Sequence, residues 1–302
     1  DWCVHVEGRP RSLARTQLVL DLSRKDVCDF VYDSVANILK TGMVSYIKWD
    51  YNRNICEASS SALPAENAKE FLHRYYLGLY SVLDRLTKDF PDVLFENCSG
   101  GGGRFDCGML AYMPQTWTSD DSDAVERLKI QYGTSIIYPL STIVGHVSAC
   151  PNHQTKHVTS FESRLNVALT GSFGYELDPT RLTEEEKEKV RYGAELYKKY
   201  GDMLVNGEYY RLRSPFEENC SAWCTVSERR DIAIAVYMRI RMEIEPNPER
   251  LILRGLDETA EYKEINSGKI YPGSQLMGFG IPVPGPAAMG EYASKMWIFE
   301  KI

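Results

Sequence analysis

Three stretches of this chain place reactive side chains where a short apolar run gives out. Residues 43–49 lead into Lys48, Trp49, Asp50 and Asn52. Residues 93–96 lead into Cys98 and the glycine run 100–103, and residues 115–119, with Trp117, lead into Asp120 and Asp121. A core asks for none of these polar groups. Where parallel strands end and loops begin, they can meet a ligand. Two carboxylates on different strand tips can face each other across a pocket, as the hydrolysis of a glycosidic bond requires. A separation of about 5–5.5 Å selects a covalent glycosyl-enzyme and retained configuration. Roles follow from the neighbours. Lys48, two residues before Asp50 on the same side of a strand, favours an ionised Asp50, as a nucleophile needs. Trp117, Asp121 and Asp123 around Asp120 favour the protonated form that a general acid needs.

Simpler readings compete at each place. Asp50 could cap a loop beside an ion-paired Lys48, and one of Asp121 and Asp123 is expected to cap the helix that follows. The glycine run lets backbone approach a ligand closely. It has neither the GxxxxGK[ST] nor the GxGxxG spacing, which argues against a nucleotide site. His146, His153 and His157 are spaced by seven and four around Pro151 and Asn152 without HExxH, and read as hydrogen-bonded loop histidines rather than metal ligands. Cys220 and Cys224 lack a second ligand pair and read as small packed residues.

The elements that must position these groups alternate. Strands are expected over 17–22, 43–49, 93–96, 115–119, 135–140 and 167–172. Helices are expected over 25–40 (stripe Val27, Phe30, Val31, Val35, Ile38) and from Pro64 to 88 (Phe71, Leu72, Tyr75, Leu79, Val82, Leu83, Leu86). Others are expected over 123–132, closed by Gly133, and from the capping box Thr183 to Glu186 as far as Gly201. Alternating βα units imply an α/β fold with a parallel sheet. Six units are visible where a closed (β/α)8 TIM barrel needs eight. After about residue 206, short alternating runs separated by Gly, Pro, Asn and Asp indicate an antiparallel β-sandwich, with Pro215 and the loop around Pro246 and Pro248 as turns. The expected domains are residues 1–205, the barrel portion, and 206–302, the sandwich.

The 302 residues suffice for one large domain or two ordinary ones, and 43% hydrophobic with 25% charged residues is ordinary globular composition. A net charge of −7 argues against nucleic acid or an anionic membrane as partner. No apolar run approaches the roughly 20 residues of a membrane span. Eight scattered cysteines suit a reducing cytosol rather than a disulfide scaffold.

The segments YIKWDYNR, ENCSGGGGRFD, PQTWTSDDSDAVERLKIQYGTS and HVSACPNHQT strongly resemble the α-galactosidases of glycoside hydrolase family 36, as does GRPRSLARTQLVLDLSR before them. The resemblance covers essentially the whole chain. It implies a retaining α-galactosidase acting on melibiose- and raffinose-type α-galactosides, with Asp50 as nucleophile and Asp120 as acid/base. It implies that Arg15 and Lys48 bind the galactose, and that Cys98 and Gly101 lie at its 2-position. Trp49, Asn52 and Trp117 complete the set of sugar contacts. Residues 17–22 become barrel strand three and 167–172 strand eight. No metal or organic cofactor is implied, and the parent enzyme is expected to be a cytosolic homo-oligomer, often a tetramer. Related galactosyltransferases and α-N-acetylgalactosaminidases share these motifs, although Cys98 favours a plain hydroxyl at the 2-position. A binding relative that has lost catalysis is the alternative of another class, and a binder needs no acid/base pair. The family's N-terminal sandwich and barrel strands one and two have no counterpart in these residues. The chain is therefore expected to be a C-terminal portion, inactive alone because an open six-stranded barrel exposes two sheet edges.

Overall fold

Apolar residues three and four apart build the first element, α1 (Lys25–Leu39), in the computed structural model, which describes residues 2–244 and 247–302. Its buried side chains are Val27, Cys28, Ala36 and Leu39, with Val31 and Val35 packed beside them. Phe30 and Ile38, placed on the stripe by spacing alone, sit on its flank and stay exposed, and Phe30 meets Trp2 with ring centroids 5.1 Å apart. Strand β1 (Tyr46–Asp50) follows, then a 3₁₀ segment Ala65–Glu70 and the long helix α2 (Phe71–Asp89). Phe71, Tyr75, Leu79, Val82, Leu83 and Leu86 all face inward from α2, each contributing about 1.5–3 kcal/mol by burial, whereas Leu72 is exposed. Gly78 of α2 is required by contact: a Cβ there would stand 1.7 Å from the Leu22 carbonyl oxygen.

Strand β2 (Leu94–Cys98), the short helix α3 (Cys107–Leu110) and strand β3 (Gln115–Thr116) complete the first compact unit, Asp1–Trp117. Its sheet runs β1-β2-β3, all parallel, with Lys48 opposite Glu96 and Asp50 opposite Cys98. The expected strand over 17–22 does not form. An apolar run becomes a strand only when a neighbour supplies a ladder. Here Val4 N–H reaches the Val19 carbonyl and Asp21 N–H reaches that of Trp2, with single bridges at Leu20 and Gln17. Val19 and Leu22 still enter the core.

The second unit, Thr118–Ile302, opens with α4 (Ala124–Thr134) and the parallel pair β4 (Val144–Ser148) and β5 (Ser172–Glu176), with α5 (Phe161–Ala168) between them. Strand β4 lies beyond the expected 135–140, and β5 begins only at Ser172, the last residue of the expected 167–172. Residues 135–138 still close α4, with Ile136 N–H on the Gly133 carbonyl and Ile137 N–H on that of Thr134. Val167 and Ala168 end α5, whose start is capped by the Ser160 hydroxyl. Helix α6 (Glu184–Asn206) begins with the expected Thr183–Glu186 capping box. It continues through Gly201 because Leu196, Tyr200 and Leu204 extend one buried stripe.

The rest is an antiparallel sheet: β6 (Glu208–Arg213), β7 (Cys220–Val226), β8 (Ile232–Arg239), β10 (Glu261–Glu264), β11 (Ile270–Pro272) and β13 (Ser294–Lys301), in the order β11-β10-β13-β8-β7-β6. A pair formed by β9 (Arg250–Leu251) and β12 (Ile281–Pro282), with the short helix α7 (Gly273–Gly278), completes the chain. Strict alternation divides the sheet's side chains. Trp223, Ile234, Val236, Met296 and Ile298 pack with residues of α5 and α6; Cys220, Cys224, Ala235, Tyr237 and Phe299 pack with Leu251, Leu276 and Ile281. Strands β10 and β11 and helix α7 carry no apolar run long enough to read from sequence. The turn expected around Pro246 lies outside the described residues.

Candidate active site

The parallel register of β1 and β2 sets the first half of the site, within the first unit. Asp50 ends β1 directly beside Cys98 at the end of β2. The Asn52 amide donates to Asp50 Oδ2, and the buried Cys98 thiol also donates to the carboxylate. Partial burial of Asp50 opposes its charge, but these two hydrogen bonds, the Tyr51 backbone and, last, the field of Lys48 hold its pKa below the usual carboxylate range. Asn52 is therefore the largest support of the anion, ahead of the expected Lys48. Burial pushes the Cys98 thiol up to about 11, so it stays a donor at neutral pH.

Lys48 lies on the same face as Asp50, as the period of two requires. Its Nζ stands 3.7 Å from Glu96 Oε1 and 5.1 Å from the centre of the Trp117 ring. Glu96 is buried and accepts a hydrogen bond from the Tyr46 hydroxyl, which in turn accepts from Gln115 Nε2 at 2.9 Å. Trp117 is buried, its backbone N–H bound to the Asn97 carbonyl at 2.9 Å. Trp49 takes the opposite face of β1 and packs with Ile47 against the core, so the structure does not bring it to the Lys48–Asp50 face.

The glycine run turns back on itself: Ser99 N–H bonds the Gly101 carbonyl at 2.7 Å, with Gly100 at φ +54° and Gly101 at φ +84°. Only residues without a Cβ adopt successive positive φ freely. Arg104 behind it donates to the Cys98 carbonyl at 3.1 Å and lies 4.8 Å from the Tyr51 ring, tying the two strand ends together. Arg15 sits on an exposed turn, φ +51°, between Ala14 and Gln17, rather than at the start of a strand. Sequence reasoning passes over Glu96, Tyr46 and Arg104. The available signal is a glutamate inside an otherwise apolar strand, opposite a lysine.

Asp120 belongs to the second unit, in the segment that joins β3 to α4. Asp123 is the helix cap, accepting from the N–H groups of Val125 and Glu126, and Asp121 accepts from Asp123 N–H. Both neighbours are thus occupied in local structure. His146 lies on strand β4 rather than in a loop, with Nδ1 3.7 Å from Glu176 Oε2, and His157 Nδ1 is 3.0 Å from Asp123 Oδ2. No group of three or more His, Cys, Asp or Glu able to hold a metal occurs among the described residues. Among them, no helix is long and apolar enough to cross a membrane.

Comparison with known proteins matches residues 1–207 to the melibiase family model and 220–299 to the glycosyl hydrolase family 36 C-terminal domain. The chain is 51% identical over 297 residues to the α-galactosidase AgaA of Geobacillus stearothermophilus, covering 98% of this chain and 40% of that protein. It is 43% identical over 302 residues to α-galactosidase 1 of Pediococcus pentosaceus, covering 41% of it. A crystal structure of an AgaA variant in complex with raffinose superposes with a TM-score of 0.96 at 49% identity, covering all of this chain and 42% of that one. The chain thus spans about 40% of the length of the curated relatives it matches. With a family model over two thirds of its residues and close relatives along nearly all of it, the chain belongs to the melibiases, glycoside hydrolase family 36.

Proposed function

We propose that the full-length protein is a retaining α-galactosidase that removes terminal α-galactose from melibiose- and raffinose-type sugars. The observation that carries this is Asp50: a carboxylate at a parallel strand's C-terminal end, with depressed pKa, held by Asn52 and Cys98. In the first step Asp120 gives its proton to the glycosidic oxygen while Asp50 attacks the anomeric carbon. The C–O bond breaks, and the aglycone leaves as an alcohol. Water then attacks the galactosyl ester, Asp120 takes its proton, and α-galactose leaves with Asp50 restored. In the full-length protein the two carboxyl groups are expected about 5–5.5 Å apart. Residues 1–205 contribute strands four to eight of a (β/α)8 barrel, and 206–302 a C-terminal sandwich. The parallel sets β1-β2-β3 and β4-β5 support the former. Eight unpaired cysteines support a cytoplasmic site of action.

The test is to follow melibiose hydrolysis by the full-length protein with proton NMR. α-Galactose is expected first, with the β anomer appearing only by mutarotation. β-Galactose first would overturn retention, and no released galactose would overturn the enzyme.

Lys48 binds galactose hydroxyls, and Glu96 fixes where its ammonium points. Glu96→Gln preserves shape but removes the charge from the pair, and with Glu96 buried that ion pair is worth more than the roughly 0–1 kcal/mol of a fully exposed one. KM for melibiose is expected to rise about tenfold with a smaller change in kcat. An unchanged KM would remove Glu96 from sugar binding.

A further inference from the structure

We propose that the loop 148–157 is a positioning device for the acid/base carboxylate, and that Asn152 is its central residue. The proposal rests on the assignment of Asp120 made above.

Asp120 stands in a segment gripped on both sides, within one compact unit. On the N-terminal side the buried Arg127 donates to the Thr118 hydroxyl at 2.8 Å and to the Ser119 carbonyl at 2.7 Å. On the C-terminal side Ser122 is held at three atoms. Its hydroxyl accepts from Asn152 Nδ2 at 3.2 Å, its carbonyl from the Ser148 hydroxyl at 2.9 Å, and its N–H donates to Gln154 Oε1 at 3.3 Å. Asp123 is held next, by the Thr155 hydroxyl at 2.5 Å and His157 Nδ1 at 3.0 Å. Asn152 is buried, and its own carbonyl oxygen accepts from the N–H groups of Gln154 and Thr155 at 2.8 and 3.1 Å. One side chain therefore shapes the loop with its oxygen and reaches the Asp120 segment with its nitrogen.

A helix cap needs only the two backbone N–H groups that Asp123 already receives. The additional polar contacts, from five residues of one loop, converge on the two positions nearest α4. They limit how far the chain at 120 can swing, and general acid catalysis falls steeply when the donor moves off the leaving oxygen.

The test compares two substrates of the full-length protein. The glucose unit of melibiose leaves as an alcohol and needs the acid's proton, whereas 2,4-dinitrophenolate departs from its α-galactoside unassisted. Asn152→Ala is expected to lower kcat/KM for melibiose about 30-fold and for the aryl galactoside about threefold or less. Thr155→Val, which keeps volume and removes one contact to Asp123, should show the same bias more weakly, and Thr155→Ser should restore it. If Asn152→Ala does not fold, the Thr155 pair decides. Equal losses on both substrates, or no loss on either, would overturn the positioning role. A wild-type protein inert to both substrates would instead overturn the assignment of Asp120 on which it stands.

Discussion

Replacing Asp50 with alanine in the full-length protein is expected to lower kcat for melibiose by about 10⁴-fold or more, because no other group supplies the covalent step. Asp50 ends β1 with Asn52 and Cys98 as hydrogen-bond donors, so alanine removes the attacking oxygen and leaves a small space on that side of the sugar. Azide can occupy that space and attack the anomeric carbon from the face Asp50 used. The rescued product is then β-galactosyl azide, identified by its anomeric coupling. Near wild-type turnover without azide, or rescue that yields the α anomer, would remove Asp50 as nucleophile. The same contacts predict a pH effect. Asp50 must be ionised to attack, and its lowered pKa places the acidic limb of kcat/KM below the ordinary carboxylate range. Asn52→Ala removes the largest support of the anion, so the pKa rises and that limb moves to higher pH.

The strand tips are legible in the amino-acid sequence because they break a rule: a lysine, aspartate or cysteine ends a run that burial would otherwise keep apolar. Asp50, Lys48 and Cys98 stand out in this way, and β1 and β2 bring Asp50 and Cys98 into register. Trp49 shows the limit of that argument, since adjacency in sequence places it on the opposite face of the strand. Strands β4 and β5 escape notice for a related reason. VGHVS and SFGYE contain Gly145, whose Cβ would stand 2.2 Å from the Ala168 carbonyl oxygen, together with polar and aromatic residues; neither is an apolar run. The more apolar segments beside them, 135–140 and 167–171, go instead to helix ends and turns. Ile136 and Ile137 remain exposed there, so hydrophobicity alone misassigns them. Supporting contacts such as Glu96 to Lys48 and Asn152 to Ser122 join residues 48 and 30 positions apart. No local pattern encodes a contact at that range.

Asp120→Ala separates the two halves of the reaction and is the second large effect expected. General acid assistance is worth about 10²–10⁴-fold, and all of it is needed when the leaving group is a sugar alcohol. For melibiose, kcat/KM should fall by that amount. For 2,4-dinitrophenyl α-galactoside, kcat/KM should change by less than about tenfold, because a good leaving group departs without a proton. Its kcat should still fall, since the galactosyl ester on Asp50 now waits for water with no base to activate it. A burst of dinitrophenol equal to the enzyme concentration follows from that accumulation. Azide relieves the block because it needs no base, and it attacks the ester from the face opposite Asp50. The product is α-galactosyl azide, the opposite anomer to that from Asp50→Ala. The two variants thus report on opposite faces of one anomeric carbon. If Asp121→Ala gave the burst and the α-azide while Asp120→Ala did not, the acid/base would move to Asp121. The local structure argues against that exchange, since Asp121 already accepts the Asp123 N–H that begins the turn into α4.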